Sequence, residues 1–242
     1  MTTPAELRRL IELSVADPRN EPMLLHALLD AELYVHLPLS DDSSRMRLIC
    51  FTRPDGLTVI PVFSDEGKAK VAGQGAVRVG AVCGRELFVS APGATFMLDP
   101  NDTTTTLYPE EIDALLSSGE AAVAPGVVEN AQISLSPAAS EDRWIGELVA
   151  DAVKGIDAVC AVHLANMHIA GCTEPTGFVA IVAVPPAWSE RAARAAALAL
   201  HTNRRAPRLP VDLTTYDPAD PPEWVSEPGF GAAWTRTRCG VH

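Results

Sequence analysis

The sequence predicts an α+β fold, α/β-like in character, in which two domains each hold a small mixed sheet flanked by helices. Three observations predict this fold. The chain has 242 residues, whereas single domains cluster around roughly 100 to 150 residues. Segments with alternating apolar residues, typical of strands, are interspersed with segments at helical spacing. A run of small and polar residues at 118–140 separates two such sets of segments.

The composition of that run places the domain boundary within it, because linkers are polar and poor in bulky apolar groups. We predict an N-terminal domain with leading helices at 1–120, a linker at 121–140 and a C-terminal domain at 141–216. An irregular tail rich in Pro and Gly follows at 217–242.

The N-terminal domain opens with two helices. Thr3, Pro4 and Glu6 form a helix start, since Thr caps, Pro fits the first turn and Glu completes a capping box. The turn sequence Arg-Pro-Asp-Gly at 53–56 predicts an antiparallel hairpin. The remaining elements are a helix at 22–31, strands at 33–37, 46–52, 57–63, 76–82 and 94–98, and helices at 65–71, 84–91 and 109–117.

The C-terminal domain has the predicted order αββαβ, which suits helices on one face of a small sheet. Its elements are a helix at 141–154, strands at 156–168 and 177–184, a helix at 187–201 and a strand at 209–215. The aromatic side chains of the tail need a surface to bury against, and we expect this chain to supply it. They are Trp224, Phe230 and Trp234.

Charge and composition exclude several classes of partner. The formal net charge of -12 repels phosphate backbones, so we expect no nucleic-acid partner. No apolar stretch approaches the ~20 residues that span a bilayer, and the first residues do not read as a secretory leader. Five cysteines, an odd number in a long chain, predict free thiols. We therefore expect a cytoplasmic protein without a membrane partner.

Zinc-competent residues are concentrated in one stretch, at Cys160, His163, His168 and Cys172. In a strand, Cys160 and His168 would lie roughly 26 Å apart at ~3.3 Å per residue, with His163 on the opposite face. We therefore predict no metal site.

Cofactor and catalytic motifs are also missing from the sequence. The glycines of GQGAVRVG, residues 73–80, lack the spacing and the strand-to-helix context of a dinucleotide loop, so no cofactor is predicted. No G-x-S-x-G motif marks a nucleophile, and no catalytic residue is predicted, although an unrecognised arrangement stays open.

Polar side chains follow two predicted strands of the N-terminal domain, in LTVIPVFSDEGKA at 57–69 and in TFMLDPND at 95–102. The second loop is either a turn with favourable turn residues or a functional loop at the same sheet edge as Ser64. Ser64 as a helix cap, with acids in the first turn, explains the first loop structurally; contact with a ligand or partner is the alternative. The candidate contact residues are Phe63, Ser64, Asp65, Glu66, Asp99, Pro100 and Asn101.

The stretches VIPVFSDEGKA, TFMLDPND and YPEEIDALL resemble the N-terminal domain of the SseB family, the enhanced serine sensitivity proteins. The resemblance covers 22–117, and 141–216, with VDLTTYDP, resembles the C-terminal domain of the family. Where the family usually shows Asn-Pro-Gly, this chain has Asp99-Pro100-Asn101. We expect Asn101 to adopt the left-handed conformation that Gly would provide.

The resemblance implies a bacterial, cytoplasmic protein with a genetic link to serine tolerance and no established catalytic residues. It favours a non-enzymatic regulatory or protein-interaction role, with a protein partner or self-association. The alternative is an enzyme or a binder of a small anion or metabolite near Ser64 and Asn101, where helix amides could hold an anion.

Overall fold

The structure of the protein, a computed structural model, describes residues 2–40, 46–102, 105–121, 133–169 and 172–237. The chain divides into two units, Met1–Val123 and Ala124–His242. Each combines helices with a mixed sheet, so the predicted α+β fold class is confirmed. Among the residues that the structure describes, no helix is long and apolar enough to cross a membrane.

The first unit alternates helices and strands after two leading helices. The helices are α1 (Pro4–Ala16), α2 (Glu21–Leu29), α3 (Glu66–Gly73), α4 (Gly84–Ser90) and α5 (Pro109–Ser117). The strands are β1 (Glu32–Leu37), β2 (Phe51–Thr52), β3 (Thr58–Phe63), β4 (Arg78–Cys83), β5 (Phe96–Leu98) and β6 (Thr105–Leu107).

The sheet of the first unit has the order β4-β1-β3-β5-β6, with β2 paired to β3 in the predicted hairpin. The β3–β5 pair is parallel, and the other pairs are antiparallel. Because parallel strands point the same way, the residues that follow β3 and β5 meet at one edge of the sheet.

Side-chain alternation gives this sheet two different faces. Leu33, Val35 and Leu37 of β1 join the main core together with apolar residues of α1, α2, α4 and α5. His36 points to the opposite face, where its Nε2–H donates to the Ala69 carbonyl of α3 at 2.8 Å. Helix α3 is therefore fixed on the face away from the main core.

The second unit is built around a long central strand. Its strands are β7 (Ile133–Pro137), β8 (Ala161–Ile169), β9 (Gly177–Ala183), β10 (Val211–Tyr216) and β11 (Trp234–Thr235), and its helices are α6 (Arg143–Val153) and α7 (Ser189–Thr202). The sheet order is β10-β9-β8-β11, with β7 also paired to β8. The predicted order αββαβ is present as α6-β8-β9-α7-β10.

The two faces of this second sheet are covered differently. Apolar residues of β8 and β9, such as Val162 and Phe178, pack in one cluster with α6 and α7. The opposite face carries Val179 and Ile181, which pack against Phe230 of the tail. The expectation that the tail aromatics bury against this chain is confirmed at Phe230, which is 7% exposed.

The structure differs from the prediction at four short segments. The predicted strand at 46–52 is reduced to the two residues of β2, which pair with β3. Strand β6 was not predicted, β7 lies within the predicted linker, and β11 lies within the tail predicted as irregular. With three and two residues, β6 and β11 carry too little alternation to be recognised.

The cysteines are not all free thiols. Cys50, Cys83 and Cys172 are free, as predicted. Cys160 is disulfide-bonded, so the prediction is wrong at that position. Spacing in a long sequence does not reveal which cysteines the fold brings together.

Candidate contact surface at the strand ends

The parallel pair β3–β5 brings two loops together. Val62 lies opposite Leu98 in the register, and the Asp99 N–H donates to the Val62 carbonyl at 2.8 Å. Ser64 and Asp99 therefore follow directly on neighbouring strands and lie side by side at the sheet edge.

The side chain of Asp99 is 0% exposed and accepts three hydrogen bonds. The Ser64 N–H donates to Oδ1 at 3.0 Å and the Ser64 hydroxyl donates to Oδ2 at 2.7 Å. The Lys68 ammonium donates to Oδ2 at 2.8 Å. A buried carboxylate is costly unless it is paired and hydrogen-bonded, and here both conditions are met.

Lys68 joins the two acidic residues of the second loop. Its Nζ lies 2.8 Å from Asp99 and 2.9 Å from Asp102. Partial burial lowers the pKa of Lys68, but the hydrogen bonds and charges of Asp99 and Asp102 outweigh this effect and raise the pKa above its usual value. Lys68 is therefore a fixed cation that links α3 to the second loop.

The second loop turns through a left-handed residue, which is Asp99 with φ of 45°. The Asp102 N–H closes the turn on the Asp99 carbonyl at 2.9 Å. Asp tolerates this conformation better than most residues, and the bonds from Ser64 and Lys68 hold it there. The prediction that Asn101 is the left-handed residue is wrong.

The start of α3 also differs from its predicted form. Asp65, and not Ser64, is the N-cap residue, and its Oδ1 accepts from the Gly67 N–H at 2.8 Å and from the Lys68 N–H at 3.2 Å. The Ser64 hydroxyl is instead used by Asp99. Because the N-cap lies one residue later than predicted, Ser64 precedes the cap, and its hydroxyl is free to link the first loop to the second.

The seven candidate residues differ in exposure. Phe63 is buried against the His36 ring, with centroids 4.7 Å apart, and Asp99 is buried as described. The others form the strand-end surface, a name used below for the half-buried and exposed residues Ser64, Asp65, Glu66, Pro100 and Asn101. Glu66 and Asn101 are its exposed members.

The hydrogen bonds define what this arrangement can do chemically. The Ser64 proton is donated to a carboxylate that also binds an ammonium, and Lys68 is protonated. Neither group is free to act as a base for a Ser64 nucleophile. The network therefore acts to position the two loops.

Lys68 and Asp102 were missed as members of this site. The only sequence signal for them is a Lys four residues after Ser64 and an Asp three residues after Asp99. Neither spacing indicates a contact in the sequence alone. The contact arises because the parallel register of β3 and β5 places α3 beside the second loop.

His163, a zinc candidate in the sequence, is held by other groups. Its Nδ1 lies 3.2 Å from the Phe230 carbonyl oxygen and its Nε2 lies 3.2 Å from the Tyr216 hydroxyl. His168 points to the other face, where its Nε2 lies 2.9 Å from the Ser136 hydroxyl. In the described ranges, no group of three potential ligands comes together to hold a metal ion.

A shallow groove of about 470 Å³ lies in the second unit. Arg208 at its wall is held by Asp142 through a bidentate pair, with Nη2 at 2.8 Å and Nε at 3.1 Å. The remaining lining residues are mostly apolar: Leu200, His201, Pro207, Leu209, Pro210 and Val211.

The fold and this site define a two-domain α+β protein whose first unit carries a closed polar network where two parallel strands end. Residues 7–114 match the family model of the SseB protein N-terminal domain. Over these residues, which lie in the first unit, the chain is similar to the SseB N-terminal domain, as the motifs of the sequence indicate.

The match does not extend into the second unit, so the likeness of 141–216 to the C-terminal domain of the family stays a prediction. No curated protein and no solved structure matches the chain.

Proposed function

We propose that this chain is a non-enzymatic, cytoplasmic regulatory or protein-interaction protein of the SseB type. Its strand-end surface contacts a protein partner or a second copy of the chain. The observation that carries the proposal is the closed network of Ser64, Asp99 and Lys68, whose polar groups are engaged with one another.

A closed network supports recognition by making the surface rigid. The loop after β3 and the loop after β5 are joined by three hydrogen bonds to one buried carboxylate. Glu66, the first residue of α3, and Asn101 of the second loop project from backbone that is already ordered, so binding costs less conformational entropy there. Such loops on a rigid scaffold are frequent binding elements in proteins.

The alternative, a small-anion or metabolite site or an enzyme site near Ser64 and Asn101, has less support. An anion at this helix start would need free backbone donors. The N–H groups of Gly67 and Lys68 donate to Asp65, and the N–H of Ser64 donates to Asp99. These donors already serve carboxylates of the protein itself.

Affinity capture with matched charge variants tests the proposal. The strand-end variant is Glu66→Arg with Asn101→Arg. The control is Asp113→Arg with Ser117→Arg, which makes the same charge change at exposed positions of α5. We expect the wild type and the control to retain the same partner or to self-associate in sedimentation, and the strand-end variant to lose that interaction.

Two results would contradict the proposal. The first is an interaction that survives in the strand-end variant at wild-type strength. The second is a wild-type chain that captures no specific protein and sediments as a monomer.

A further inference from the structure

The tail crosses the sheet face of the second unit that α6 and α7 leave uncovered. We call residues 217–232 the strap; it starts after Tyr216 of β10 and ends before β11. Phe230 of the strap packs against Ala165, Val179 and Ile181. The strap therefore covers an apolar strip of the sheet.

A single imidazole lies at the centre of this contact. The His163 ring is 5% exposed, and the Trp224 ring of the strap meets it edge-on with centroids 5.4 Å apart. The Phe230 carbonyl can only accept, so Nδ1 carries the proton and Nε2 accepts from the Tyr216 hydroxyl in the neutral ring. His163 thus joins the strap to β10 in its neutral form.

The surroundings of His163 favour that neutral form. Burial lowers the pKa of His163, and the hydrogen bond with the Phe230 carbonyl offsets only part of this effect. On its sheet face His163 is flanked by Ala161 and Ala165 of β8 itself, by Ile181 of β9 and by Tyr216 of β10, and burial raises the pKa of Tyr216. The carboxylates of β10 and the strap are Asp217, which is half-buried and accepts from the Ala219 N–H, and the exposed Asp212, Asp220, Glu223 and Glu227.

Arg236, which follows β11, is held by contacts of another kind. The Arg236 guanidinium donates to the carbonyls of Val159 at 2.8 Å, Lys154 at 2.7 Å and Ile156 at 3.0 Å. Arg stays protonated at all physiological pH values, so this anchor does not respond to pH. Gly229, with φ of 99°, directly precedes Phe230 in a conformation that suits glycine.

We infer that the strap is proton-sensitive: neutral His163 holds it closed, and protonation of His163 opens it while β11 and Arg236 keep residues 234–236 in place. Opening uncovers the apolar strip formed by Ala165, Val179 and Ile181. The second unit thereby has a closed and an open state that differ in exposed apolar surface.

The direction of the pH effect follows from proton linkage. In the open state His163 titrates near its ordinary value of about 6.5, and in the closed state its pKa lies lower. Closure is complete above about pH 6.5 and weakens as pH falls toward the closed-state pKa. Within that window the opening constant rises by at most about tenfold per pH unit.

Hydrogen exchange followed by mass spectrometry, from about pH 8 to about pH 5 and corrected for intrinsic rates, measures strap opening directly. We expect the opening of the strap peptides to increase as pH falls below about 6.5, by at most about tenfold per pH unit, and the β11 segment to stay constant. His163→Gln keeps a donor and an acceptor without titrating, so its strap should show no pH response. His168→Gln, the control on the opposite face of β8, should behave as wild type.

Strap opening that does not change with pH in the wild type would overturn the inference, as would a wild-type response in His163→Gln. NMR of the wild-type imidazole covers the case in which that variant fails to fold. The inference is supported if the His163 ring titrates with a pKa below about 6.5 and the Trp224 signals change over the same pH range. A His163 pKa at or above about 6.5 overturns the inference.

Discussion

The Ser64 hydroxyl donates a 2.7 Å hydrogen bond to the buried carboxylate of Asp99, a residue 35 positions away. The bond joins the loops that follow two parallel strands and defines how the strand-end surface is built. It also removes Ser64 from the role of helix cap, which Asp65 performs.

Ser64→Ala should destabilise the first unit by about 1 to 2 kcal/mol, because a buried carboxylate loses one of its three donors. All four tryptophans lie between residues 144 and 234, so far-UV circular dichroism, and not tryptophan fluorescence, should report the change in a urea titration. Ser90→Ala, which removes a hydroxyl bonded within its own helix, should cost less than about 0.5 kcal/mol. An equal loss of unfolding free energy in the two variants would contradict a stabilising role for the hydrogen bond between Ser64 and Asp99.

Asp99→Asn should destabilise the same unit by about 1 to 3 kcal/mol, since an amide has one acceptor oxygen and no charge for Lys68. Asp99→Ala should cost more, because Ala loses every bond and is also strained at φ of 45°. The measurement is the urea midpoint followed by circular dichroism. An alanine variant as stable as the asparagine variant would show that the side-chain bonds and the left-handed backbone are not coupled.

Arg236→Ala should destabilise the second unit by about 2 to 3 kcal/mol, because three backbone carbonyls lose a charged donor. Tryptophan fluorescence reports this unit and gives the urea midpoint. Arg143→Ala is the control: its exposed pair with Glu147 on α6 should contribute less than about 0.5 kcal/mol. A cost for Arg236→Ala no larger than that of the control would mean that the carbonyl contacts do not anchor the tail.

A thermal-shift screen with phosphates, nucleotides and amino acids should leave the melting temperature unchanged, because the donors at the start of α3 are occupied by carboxylates. A ligand at 100 times its dissociation constant would add about 2.7 kcal/mol, an effect that such a screen detects. A shift that disappears in a variant of Ser64 or Asn101 would favour the small-ligand alternative over the proposed function.

The sequence predicts the larger elements because their apolar patterns are long. Helix α6 and strand β9 repeat their pattern over several residues, and the Arg-Pro-Asp-Gly turn predicts its hairpin from turn chemistry. The likeness of the first unit to the SseB N-terminal domain was also predicted, from motifs that lie where β3 and β5 end and at the start of α5.

The details of the site depend on long-range contacts that local patterns do not encode. The sequence places Ser64 at a helix start but does not show that a carboxylate 35 residues away takes its hydroxyl. Nor does it show that Asp99, ahead of Pro100, takes the left-handed conformation expected of Asn101. The role of His163 likewise depends on Phe230, which is 67 positions away.

Site-specific photo-crosslinking from Asn101 tests most directly whether the strand-end surface binds a protein. A benzophenone side chain at Asn101 is compared with one at Val89, a position on α4 that is 62% exposed. We predict a discrete adduct from Asn101, with a partner protein or a second copy of the chain, that Val89 does not give and that Glu66→Arg abolishes. No adduct from Asn101, or the same adducts from both positions, would contradict the proposed function.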